Sequence, residues 1–89
     1  MYLAKVIGSV VMTQKIQSLS GKKILLCQAV SADMNIIPDT LKVVADTVGS
    51  GVNDIVLISQ GSACRAIFQD QGNGIDSAVV GIVDNINIG

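Results

Sequence analysis

The apolar residues of this 89-residue chain come in short packets. The most extended, Ala78 to Val83, includes Gly81 and falls far below the roughly 18 consecutive apolar residues that a membrane helix requires. Val, Ile, Leu and Ala recur in runs separated by clusters of Gly, Asn, Asp and Ser, a pattern that specifies strands and turns. The length suits one domain, residues 1–89. Met1 to Thr13 carries Lys5 inside an alternating pattern and lacks the apolar centre of a secretory leader, so none is expected.

Hydrophobic residues make up 49% of the chain and charged residues 15%, with a mean hydropathy of +0.58. A domain of this size buries only about 60–65% of its unfolded surface. An apolar surplus without a membrane segment therefore points to contacts between subunits. Disorder requires low hydrophobicity and high net charge, the reverse of what is present. The net charge is −1, so the basic excess of a nucleic-acid binder is missing. There is no His, which removes the commonest ingredient of zinc hydrolases and Ser-His-Asp triads. Two Cys do not make a disulfide scaffold.

Five strands are expected. The first run, Tyr2 to Thr13, places Tyr2, Ala4, Val6, Gly8, Val10 and Met12 on one face, with Gly8 suggesting a bulge or bend. The second, Lys22 to Ser31, sets Ile24, Leu26 and Val30 against Leu25, Cys27 and Ala29. Ala32 to Thr40, with Pro38, reads as a hairpin loop. The third run is Leu41 to Val48, and the fourth, Asp54 to Gln60, is aliphatic enough to be covered on both faces. A short helix is predicted over Ser62 to Phe68, between strands four and five, followed by a loop over Gln69 to Gly74. The last run is Ser77 to Ile88. Such a chain is an all-β domain, and closure into a small barrel removes its edges best. Pairing of the long first and last strands is the expected closure.

Each reactive-looking feature has a structural reading. Gly49-Ser50-Gly51 resembles part of a phosphate loop but precedes a strand, so a tight turn is favoured. Cys64 stands beside Arg65 at the start of the predicted helix, yet no His is available as its base. A small packing role is favoured there, and Cys27 reads as core or interface. Asp46 and Asp84 interrupt apolar runs, so each is expected to have a partner, with Arg65 available for one of them. Lys15, Lys22 and Lys23 form a modest basic group around the first loop, read as a solvated hairpin. No catalytic pair, cofactor site or metal-ligand cluster is read from the spacing of the Asp residues. Only two aromatics, Tyr2 and Phe68, are present, which disfavours the stacking platforms of single-strand-binding barrels.

Several phrases in order carry a resemblance. They are Ala4-Lys5-Val6, Gly8-Ser9-Val10-Val11, Thr13-Gln14-Lys15 and Gly21-Lys22-Lys23-Ile24-Leu25-Leu26. Ala45-Asp46-Thr47-Val48-Gly49-Ser50-Gly51, Val56-Leu57-Ile58, Gly61-Ser62-Ala63-Cys64-Arg65 and Asp76-Ser77-Ala78-Val79-Val80-Gly81-Ile82-Val83-Asp84 follow. From about Tyr2 to Ile86 this set resembles the EutN/CcmL family of bacterial microcompartment vertex proteins. Cys64 and Ser50 stand where the family commonly has Ala.

The resemblance implies a five-stranded OB-like β-barrel with one short helix, assembling as a homo-pentamer. It also implies a cytoplasmic location in a microcompartment shell, where the pentamer fills fivefold vertices among hexameric shell proteins. The implied role is mechanical rather than enzymatic, with no cofactor, nucleic acid or membrane involved. Candidate residues for the subunit interface or central pore are Asp46, Gly49, Ser50, Gly51, Gly61, Ser62, Ala63 and Arg65. The alternative is an OB-like binding module for nucleic acid or a small ligand.

Overall fold

Five strands form where the aliphatic packets lie: β1 (Tyr2–Val10), β2 (Lys23–Ala29), β3 (Lys42–Asp46), β4 (Ile55–Gln60) and β5 (Ser77–Ile82). The computed structural model describes residues 1–15, 17, 21–61 and 76–88. The helix expected over Ser62 to Phe68 and the loop over Gln69 to Gly74 lie outside the described residues.

The strands close into a barrel in the order β1-β2-β3-β5-β4. The expected pairing of first and last strands does not occur. Both edges of β1 are already used: it runs antiparallel to β2 from Ala4↔Ala29 to Val10↔Ile24, and antiparallel to β4 from Tyr2↔Ile58 to Lys5↔Ile55. The fifth strand instead lies antiparallel to β4 and parallel to β3, through Ala45↔Ala78 and Asp46↔Val79. It also ends at Ile82 rather than Ile88, so Asp84 is exposed beyond the sheet and needs no buried partner.

A bulge sits in β1 between Val6 and Gly8, where the register to β2 shifts by one residue. Side chains alternate faces along a strand, so one extra residue reverses the pattern after it. Ala4 and Val6 face the core, but past the bulge the residue paired with core Leu25 is Ser9. The single face expected from Tyr2 to Met12 therefore breaks at Ile7. A second register shift, between Leu57 and Ile58, interrupts β5 in the same way and puts Val79 rather than Val80 opposite Ile58.

The interior is filled by Ala4 and Val6 of β1, Leu25 and Cys27 of β2, Val44 of β3, Val56 and Ile58 of β4, and Val79 of β5. Apart from Leu25 these are small or β-branched side chains, of the kind that fills the interior of a small barrel. Tyr2 packs against this core, and its buried hydroxyl has no hydrogen-bond partner. Burial first, then the neighbouring Cys27 and Asp76, pushes the Tyr2 phenol upward, so it stays protonated.

Leu25 is among the largest fully buried side chains of the described residues, so Leu25→Ala should cost about 2–5 kcal/mol, read by urea denaturation at matched protein concentration. Tyr2→Phe removes an unsatisfied buried hydroxyl while keeping the ring. Its denaturation midpoint is expected to stay level or rise, because no hydrogen bond is lost.

Candidate functional site

Of the predicted residues, Asp46 ends β3, and Gly49, Ser50 and Gly51 lie in the connection from it to β4. Asp46 ends β3 directly opposite Lys23, the first residue of β2. The Lys23 ammonium lies 3.4 Å from Asp46 Oδ2 and donates to the Ser50 carbonyl. The other carboxylate oxygen, Oδ1, accepts from the Val48 amide at 3.1 Å and the Ser50 hydroxyl at 3.0 Å. Ser50 is fully buried, and the Asp46 side chain is 1% exposed.

Asp46 therefore organises the turn. Burial alone would favour its neutral form, but the hydrogen bonds from Val48, Ser50 and Lys23, with the Lys23 charge, outweigh it. The carboxyl is held below the ordinary range and remains ionised near neutrality. The expected partner Arg65 lies outside the described residues; the cation observed beside Asp46 is Lys23. That assignment also corrects the reading of Lys23 as part of a purely solvated loop, although its side chain is still 51% exposed.

Further bonds fix the rest of the turn. Thr47 Oγ1 donates to the Val79 carbonyl at 2.6 Å, tying the end of β3 to β5. Gly51 N donates to Asp54 Oδ2 at 2.8 Å, and Asp54 N returns a bond to Gly51 O at 3.0 Å. Gly49 has φ +83°, a left-handed conformation that a side chain would strain. Gly49-Ser50-Gly51 is thus a tight turn that leads into a strand, with its polar atoms turned onto the protein itself.

The second predicted group begins with Gly61, at the far end of β4. Gly61 has φ +75°, and its amide donates to the Asp76 carbonyl at 2.8 Å. Ser62, Ala63, Cys64 and Arg65 lie outside the described residues. Six-residue β4 separates Gly51 from Gly61 by on the order of 20 Å.

Cys27 is a core residue, with its thiol buried. Burial, with the Asp46 charge adding to it, pushes its pKa up to about 11. Only about one thiol in a thousand is ionised at pH 8, so it is no nucleophile. Among the described residues, no three Cys or Asp side chains gather as a metal site, and no helix is long and apolar enough to cross a membrane.

Among the described residues, the polar groups around Asp46 hold turns in place. The class they define is a closed five-stranded β-barrel whose ordered features are architectural. Residues 1–84 match the family model described as "Ethanolamine utilisation protein EutN/carboxysome". The chain belongs to the EutN/CcmL family. It is 48% identical over 90 residues to the bacterial microcompartment shell vertex protein PduN of Salmonella typhimurium, covering 98% of this chain and 99% of that one. The structure of the GrpN pentameric microcompartment shell protein from Rhodospirillum rubrum superposes with a TM-score of 0.87 at 44% identity, over 99% of each chain. The CcmL structure from Nostoc sp. PCC 7120 gives 0.89 at 45% identity, over 99% of this chain and 92% of that one.

The folded-state carboxyl of Asp46 ionises below the ordinary aspartate value of 3.8, so its contribution to stability is present above that value. The contribution is lost as pH falls through the folded-state pKa. Asp46→Asn is expected to be less stable than the parent at pH 7, with the difference shrinking below about pH 4. Denaturation series at both pH values check this. In a Cys64→Ala background, Cys27 should react with a thiol reagent at pH 8 only at the rate of unfolding, and rapidly in urea.

Proposed function

We infer that this chain is a shell vertex protein, five copies of which close into a ring at the fivefold corners of a bacterial microcompartment. The observation that carries this reading is the end-to-end likeness to proteins named as shell vertex proteins, joined to a pentameric solved relative of nearly identical length. The physical character of the chain agrees. Its interior is a small packed barrel, and its apolar surplus lies partly on the surface, where monomeric proteins seldom keep extended patches.

The role is geometric. A flat layer of hexameric units cannot close on itself, and pentagonal units supply the missing curvature and seal the corners. In this reading the ring is embedded among hexameric shell proteins in the cytoplasm and carries out no chemical step. Asp46, Gly49, Ser50 and Gly51 shape the turn at one end of β4. Gly61, Ser62, Ala63 and Arg65 follow its other end, so both groups can contribute to subunit contacts or to the central opening.

Native mass spectrometry of the purified chain should give a species with the mass of five copies. A stable monomer over the micromolar range would overturn the proposal. Titration of a labelled oligonucleotide at low salt should show no salt-dependent binding, which would be the mark of the OB-like binding alternative.

A further inference from the structure

We draw no further inference here: the strongest candidate, the outer sheet face where Gly8, Leu26 and Val43 stand in register across β1, β2 and β3, carries nothing, because nothing in the structure shows what covers it.

Discussion

In a closed five-stranded barrel every strand pairs along both its edges, and β1, the longest, does so while turning a corner at a bulge. Its first residues, from Tyr2 to Lys5, lie against β4, while the stretch from Ala4 to Val10 lies against β2. A regularly pleated strand would remain too straight to serve both. The one-residue slip at Ile7 and the absence of a side chain on Gly8 supply the bend, and Leu26 approaches to 3.8 Å of where a Gly8 Cβ would sit. Once β1 is occupied on both sides, β5 has only β4 and the free edge of β3 to pair with. The parallel β3–β5 contact thus follows from the demands on β1.

That closure brings Asp46 to a place no local pattern assigns it. At the end of β3 it meets Lys23 across the antiparallel ladder, and the turn that follows folds back so that Ser50 and Val48 cover the carboxylate. A buried carboxylate is unfavourable unless it is paired and hydrogen-bonded, and here Oδ1 takes the hydrogen bonds while Oδ2, which accepts none, faces the Lys23 ammonium. Its own network in turn keeps the Gly49-to-Gly51 turn in one shape. The same carboxylate reaches the interior electrostatically, since its charge adds to burial in suppressing the Cys27 thiolate.

Much of this was legible from residue order alone. The aliphatic packets located all the strands, and the Gly8 position foretold the bulge, because both are local properties of φ/ψ and alternation. Partner choice was not local. Lys23 lies 23 positions before Asp46, and only the β2–β3 register places them opposite one another. The length of the last strand was overread for a related reason: Ile86 and Ile88 continue the aliphatic pattern, but with β4 beginning at Ile55, opposite which the chain turns away at Val83, no partner remains for them. The face assignment beyond Ile7 failed because a bulge can be anticipated from a glycine, whereas its consequence for every later residue depends on the register it creates. Of the candidate site, the Asp46 and glycine positions were recognisable through the ordered family motifs, while their separation along β4 required the fold.

The apolar surplus that first set this chain apart divides into two populations with different physical consequences. Val6, Leu25, Val44, Val56, Ile58 and Val79 satisfy one another inside the barrel and would do so in a monomer. The aliphatic residues of the β2–β3 hairpin and of the β3–β4 connection are only about half covered by their own chain, and leaving the rest in water forfeits roughly 25 cal/mol for each Å² that burial would remove. A chain without His, Glu or Trp has few groups with which to perform chemistry, and the charged groups it does place internally are spent on holding turns. Half-exposed aliphatic side chains of that kind are the ones that contact with a further copy would take out of water.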